Sequence, residues 1–297
     1  MGNTTCKIIS IITPDKLVLP GLWFGPDKPQ RVIIFIHGLS SNAFSGHDLV
    51  LPLVDASTTV ITFNNRGNGK IVRMKKVDKR KKRGYSSRIL GETHEVFTEC
   101  VEDVQGAVDY VEAQGESEIY LVGHSTGSHK SVYYVSRKNN QKRIKGVVLL
   151  SPLSDYADAL HQDKNKTLPR VVTYAKDLVQ QGKAHELLPL TIWPMMHDAQ
   201  RFLSLYTPNS EEEIFCYCQA NKIPTTFRKI IIPQLVVLGE KDEFRNRPIK
   251  KIEHWFEKNI RSKVNRIVII PNATHSFFNH EDEVVHHIKA FIQNNSL

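Results

Sequence analysis

Residues 118–128 read Glu-Ile-Tyr-Leu-Val-Gly-His-Ser-Thr-Gly-Ser, an apolar, strand-forming run that breaks into Gly123-x-Ser125-x-Gly127. Beyond it, Ser128 to Arg137 sets Val132, Tyr133 and Val135 among polar residues, a pattern that a helix satisfies. A strand that turns this sharply into a helix strains the backbone at the turn, and small flanking residues are needed for the two elements to approach. Gly123 and Gly127 meet that need. A serine at such a turn is lifted clear of the sheet, and the amides that open the helix point toward an anion forming beside it. Ser125 is therefore the candidate nucleophile.

Working outward, Arg31 to Gly38 is a continuous apolar run, as expected of a strand buried on both faces of a parallel sheet, and the β-branched stretch Thr58 to Phe63 resembles it. Lys7 to Ile12 and Leu17 to Phe24, divided by Thr-Pro-Asp-Lys, predict an antiparallel hairpin. Thr93 to Gln114 carries Val96, Phe97, Cys100, Val101, Val104, Ala107, Val108 and Val111 at helical spacing, and Lys145 to Ser151 reads as another buried strand. This alternation predicts an α/β fold, a doubly wound, mostly parallel sheet with right-handed crossovers. It stops between Tyr156 and Phe227, which predicts a helical cap spanning residues 156–227, inserted into a core of residues 1–155 and 228–297. The sheet resumes at Pro233 to Gly239 and Arg266 to Ile270, each followed or preceded by a helix, with a last helix over Glu281 to Asn294.

The chain has 297 residues, 40% of them hydrophobic and 24% charged, a balance that fits one soluble domain with an insertion. No apolar run approaches the roughly 20 residues of a membrane span. The start, Met-Gly-Asn-Thr-Thr-Cys-Lys, lacks the long apolar segment of a secretory signal, and four cysteines without paired metal-ligand spacing fit the reducing cytoplasm. Gly2 invites myristoylation, but Cys6 stands where Ser or Thr is expected. The net charge of +9 is concentrated between Lys70 and Arg83, where nine basic residues face only Asp78. That run reads as a solvated basic loop over residues 70–84; with no nucleic-acid motif, no nucleic-acid partner is expected.

A serine hydroxyl needs a base to take its proton, and the base needs an acceptor that fixes its tautomer. Leu238-Gly-Glu-Lys-Asp242 ends one later strand and Pro271-Asn-Ala-Thr-His275 follows the next, both where such a sheet places ligand chemistry. Glu240 and Glu243 compete with Asp242, whose Gly-x-x-Asp spacing favours it; His124, His129 and His280 compete less well with His275. The backbone amides of Thr126 and Leu39 are the expected oxyanion donors, and His37 reads as a turn-stabilising residue. Trp193, Met196 and Phe202, with Met195 and Tyr206, are candidates for an apolar substrate pocket, or else simply pack the cap on the core. No metal or organic cofactor is implied, and the oligomeric state is left open.

Together, His37-Gly38, Gly123-His-Ser-Thr-Gly127, Asp242 and His275 resemble the oxyanion loop, nucleophile elbow, acid and base of the α/β-hydrolase superfamily. More narrowly, Asp198-Ala-Gln-Arg-Phe-Leu-Ser-Leu-Tyr206, Glu211-Glu-Glu-Ile-Phe215 and Leu238-Gly-Glu-Lys-Asp-Glu-Phe244 resemble the fusarinine-type siderophore esterases. The His37-Gly38 pair and the basic run stand outside that narrower likeness. The resemblance implies a serine hydrolase of carboxylic esters acting through an acyl-enzyme on a small acyl or ester substrate. A thioesterase or acyl-peptidase would use the same residues, and a non-catalytic binding protein on the same scaffold is the alternative from another class.

Overall fold

A computed structural model describes residues 5–115, 117–137 and 139–295. The myristoylation question at Gly2 lies outside the described residues. Among the described residues there are ten strands: β1 Cys6–Ile12, β2 Val18–Phe24, β3 Arg31–Ile36, β4 Thr58–Phe63, β5 Val72–Val77, β6 Tyr85–Leu90, β7 Glu118–His124, β8 Ile144–Leu150, β9 Gln234–Gly239 and β10 Asn265–Ile270. The helices are α1 His47–Val50, α2 Cys100–Glu112, α3 Thr126–Arg137, α4 Asp155–Gln162, α5 Leu168–Gln180, α6 Ala199–Tyr206, α7 Thr225–Arg228, α8 Ile249–Asn259 and α9 Glu281–Asn295.

Eight strands form one sheet in the order β1-β2-β4-β3-β7-β8-β9-β10. From β4 to β10 every neighbouring pair is parallel; only the β1-β2 hairpin and the β2-β4 pair are antiparallel. The central strands are apolar on both faces because both are covered. One face packs on α2, α3 and α8 through Val104, Val132 and Phe256, and the other packs on α1 and α9 through Leu49 and Ile288. Register sets the site: Ile36 pairs with Gly123, His124 with Leu150, and Gly239 with Ile270, so the strand ends that carry the candidate residues lie along one edge of the sheet.

The helix predicted from Thr93 begins only at Cys100, after a single 3-10 turn over Phe97–Glu99. Side-chain chemistry overrides the periodicity here. Glu95 is fully buried between Lys130 and Arg201, and His94 is bonded to Asp198, so this stretch is spent on contacts with α3 and the cap. The expected basic loop is also ordered: β5 and β6 form a hairpin whose register runs from Val72↔Leu90 to Val77↔Tyr85. Its inner face buries Met74 and Leu90 in the core, an alternation that the surrounding lysines obscure. Lys70 pairs with Glu92 and Arg80 with Asp78. Among the described residues, the other seven basic residues of the run form no ion pair.

Within the segment predicted as cap, α4, α5 and α6 gather a small core of their own around Leu168, Val171, Leu178, Trp193, Phe202 and Leu205. Ile214, Phe215, Tyr217 and Phe227 join the main core instead, with Phe215 and Phe227 ring centroids 5.5 and 5.6 Å from that of Phe256. No helix among the described residues is long and apolar enough to cross a membrane.

Candidate active site

Ser125 stands between the end of β7 and the start of α3 with φ +56°, a left-handed conformation that few side-chain-bearing residues adopt. Four interactions hold it there. Its amide donates to the Leu150 carbonyl at 2.9 Å, the Ser128 amide donates to its carbonyl at 2.9 Å, and the Ser128 hydroxyl donates to the Gly123 carbonyl at 2.8 Å. The fourth is steric. A Cβ on Gly123 would collide with the Gly127 carbonyl, and one on Gly127 with that of Ile36, so the strand, turn and helix close on one another only because both are glycine. A Cβ on Gly38 would lie 2.9 Å from that of Ser125, which places the oxyanion-loop candidate directly against the serine.

His275 lies in the loop after β10. Its Nδ1 is 2.8 Å from Asp242 Oδ2, in the loop after β9, and both side chains are nearly buried. A carboxylate only accepts, so Nδ1 carries the proton and Nε2 is left with a lone pair. The Phe244 amide donates to the other Asp242 oxygen at 3.0 Å, and the Phe244 ring packs edge-on against the imidazole at a centroid distance of 4.8 Å.

The histidine's own backbone is held as firmly. Its amide donates to Glu243 at 2.9 Å, and its carbonyl accepts from the Ser151 hydroxyl at 2.8 Å and from His124 Nε2 at 2.9 Å. Burial, and next the proximity of His275, lowers the His124 pKa to about 4, so its ring is neutral and serves as a strut. These supports were not legible in the sequence. Glu243 appeared there only as a competitor for the acid role, and nothing local marks Ser151 as a partner of a loop 124 residues away.

His37 is buried, and that burial lowers its pKa to about 3. Its Nε2 accepts from the Asn65 amide at 3.2 Å, which leaves Nδ1 as the donor to the Gly38 carbonyl at 2.8 Å. It pins the loop that carries Leu39, the part expected of it. The amides of Leu39 and Thr126 donate to no other described residue, the former in the turn after β3 and the latter at the first position of α3.

Ser125, His275, Gly38, Leu39 and His124 line one cavity of about 400 Å³. No hydrogen bond joins Ser125 Oγ to His275 here, and such contacts commonly tighten only when substrate is bound. The cap's contribution to the walls differs from the expectation. Trp193, Met196 and Phe202 do not line the cavity; Met195 and Tyr206 do, with Leu153 and Phe244 from the core. Trp193 and Phe202 are taken up by the cap's own core, their centroids 5.1 Å apart, and Met196 presents its carbonyl to the Thr93 hydroxyl. A helical face of aromatic residues looks the same in sequence whether it meets a ligand or a neighbouring helix.

The cavity also has a polar side that sequence reasoning missed, made by Lys70, Glu92, Asp155 and Asp158. Lys70 and Glu92 pair at 2.7 Å. Burial works against the Glu92 carboxylate, but hydrogen bonds from His197, Lys70 and Ser40 outweigh it and hold its pKa at about 2. Asp155 is pushed up, first by burial and then by Glu212.

A family model described as "Protein of unknown function (DUF1749)" matches residues 86–293. A curated relative, "Putative esterase/lipase 3" of Mycoplasma pneumoniae, is 26% identical over 182 residues, covering 59% of this chain and 63% of that protein's length. Among solved structures, the siderophore hydrolase EstB from Aspergillus fumigatus superposes with a TM-score of 0.70 at 16% identity, over 99% of each chain. The Pyrococcus furiosus esterase Pf2001 gives 0.60 at 17% identity, over 98% of this chain and 91% of the other. The fold is the α/β-hydrolase fold.

Proposed function

The chain belongs to the DUF1749 family, and we propose that it is a serine hydrolase of carboxylic esters, with Ser125 as nucleophile, His275 as base and Asp242 as its orienting acid. One observation carries the reading: a serine held at φ +56° shares a cavity with a histidine whose Nδ1 is fixed by a carboxylate. His275 Nε2 takes the Ser125 proton as Oγ attacks the ester carbonyl, and the Leu39 and Thr126 amides receive the negative oxygen. The alcohol leaves with that proton, and water activated by the same nitrogen releases the acid. The similar proteins, an esterase/lipase, a siderophore hydrolase and an esterase, support an ester substrate, with Met195, Tyr206, Leu153 and Phe244 as the apolar walls for its acyl or alcohol part.

In the same reading the core comprises residues 1–155 and 228–297, and the cap, residues 156–227, selects the substrate. Cytoplasmic residence fits four cysteines that all stand free. The test is labelling by a fluorophosphonate probe alongside turnover of short-chain aryl esters. Wild type should label and hydrolyse while Ser125→Ala does neither. Equal behaviour of the two proteins, active or inactive, sinks the proposal.

A further inference from the structure

Away from the cavity chemistry, three side chains converge that no step of ester hydrolysis uses. His94 leaves the core loop after β6, whereas His185 and Asp198 belong to the cap. His94 Nδ1 and His185 Nδ1 lie 2.9 and 2.8 Å from the same oxygen, Asp198 Oδ2, and the three potential ligand atoms fall within 4.8 Å of one another. We propose that His94, His185 and Asp198 form a binding site for a divalent transition-metal ion of the zinc type, which staples the cap to the core.

The donor set fits that class of ion. Two imidazole nitrogens and one carboxylate oxygen suit a borderline cation such as Zn2+, which takes nitrogen and oxygen ligands at about 2.0–2.2 Å, three from protein with water in the fourth place. Neither Ca2+ nor Mg2+, which prefer all-oxygen shells, is matched.

The support around the ligands is already built. Asp198 is fully buried, its amide donates to the Thr93 carbonyl at 3.1 Å, and its Oδ1 accepts the Arg201 amide at 2.8 Å as the N-cap of α6. Its free direction is thus aimed at the two rings, the outer-shell fixation that metal-bound carboxylates need. The Thr93 hydroxyl holds the Met196 carbonyl at 2.9 Å, so the residue before His94 and the segment before Asp198 are already locked together. His185 is 63% exposed and His94 16%, giving an ion a path from solvent that the buried carboxylate alone would not offer.

With no ion bound, both rings donate Nδ1–H to the one oxygen. On binding, each imidazole gives up its Nδ1 proton through water, with Nε2–H as the tautomer that leaves the Nδ1 lone pair to the ion, and no redox partner is needed. The ion would then sit where two short hydrogen bonds now converge. Its effect would reach the cavity without chemistry there, because Glu92 lies two residues from His94 and Met195 three from Asp198, and both line the cavity.

The experiment is equilibrium dialysis of the untagged full chain against micromolar Zn2+, read by elemental analysis, with Co2+ substitution read by visible absorption and melting temperature followed in parallel. One ion per chain is expected, with a Co2+ spectrum of low coordination number and a raised melting temperature. Loss of a ligand should weaken binding at least tenfold in both His185→Ala and His94→Ala. His185 is exposed and outside every packed core, so its variant folds even if His94→Ala or Asp198→Asn does not. Substoichiometric uptake by wild type, or full uptake retained by His185→Ala, overturns the proposal, the second result placing the ion elsewhere. Ester hydrolysis by Ser125 is a separate readout: metal-free protein that still reacts with fluorophosphonate leaves the catalytic reading intact whichever way dialysis comes out.

Discussion

The two sides of the cavity are made in different ways. The core side is built from loops at strand ends, where backbone geometry dictates the residue: Gly38, Gly123 and Gly127 are glycines because carbonyl oxygens or the serine itself occupy the space a side chain would need. The cap side is built mainly from a helix and the irregular segment before it, where Trp193, Phe202 and Tyr206 pack on one another while Met195 and Tyr206, with Asp158 of α4, reach the cavity. Constraint on the core side is steric and local. On the cap side it is collective, so any one residue can change its part without a local sign.

The largest effect expected tests the core side. Asp242→Asn keeps the shape but lets His275 take the wrong tautomer, so kcat on an aryl ester should fall by about 10⁴-fold with the melting temperature nearly unchanged. A fall of less than tenfold would transfer the acid role to Glu243, which already holds the His275 amide. Arg201→Met tests the junction between the sides. Arg201 is fully buried and reaches Glu95 at 3.0 Å and Glu212, so its removal leaves two buried carboxylates short of a partner and should cost about 3–5 kcal/mol in urea unfolding.

A matched pair separates cap packing from cap recognition. Trp193→Ala should cost about 3 kcal/mol through the cavity it leaves in the cap core. Met195→Ala, at the exposed end of the same segment, should cost under about 1 kcal/mol yet change KM among esters of different chain length. Equal stability losses, or a KM effect only in the tryptophan variant, would restore the aromatic pocket read from the sequence.

The smallest effect is a pH slope. Burial raises the Glu213 pKa from 4.5 to about 7, although hydrogen bonds from Ser154 and Gln219 oppose it. The folded chain therefore holds this proton more tightly than the unfolded one. The stability it contributes is complete below about pH 4.5 and lost as pH rises through about 7. Glu213→Gln should match wild type near pH 5 and exceed it near pH 8 by up to roughly 3 kcal/mol, measured by urea unfolding. A constant difference between the two across that range would contradict the shift.

What was legible follows the same division. The strands, their parallel pairing and the elbow announce themselves because β3, β7 and β8 are apolar on both faces, the buried β4 is filled by β-branched and aromatic residues, and the turn must be glycine-flanked. The helix expected over Thr93 to Gln114 starts late because His94 and Glu95 are bound to Asp198 and Arg201, more than 100 residues further along the chain. The basic hairpin was misread for a different reason: its buried face is supplied by Met74 and Leu90, two residues masked by the surrounding lysines and arginines. Polar convergence, whether on His275 or on Asp198, leaves no periodic trace in the chain.

The cap's place in the chain has a consequence in time. It separates β8 from β9, so Ser125 is made 150 residues (275 − 125) before His275, roughly eight to thirty seconds earlier at ordinary rates of synthesis. During that interval the nascent chain carries Ser125 without His275, the proposed base. In the proposed mechanism the hydroxyl stays inert toward surrounding esters until the last two parallel strands dock, so catalytic competence arrives together with the completed sheet.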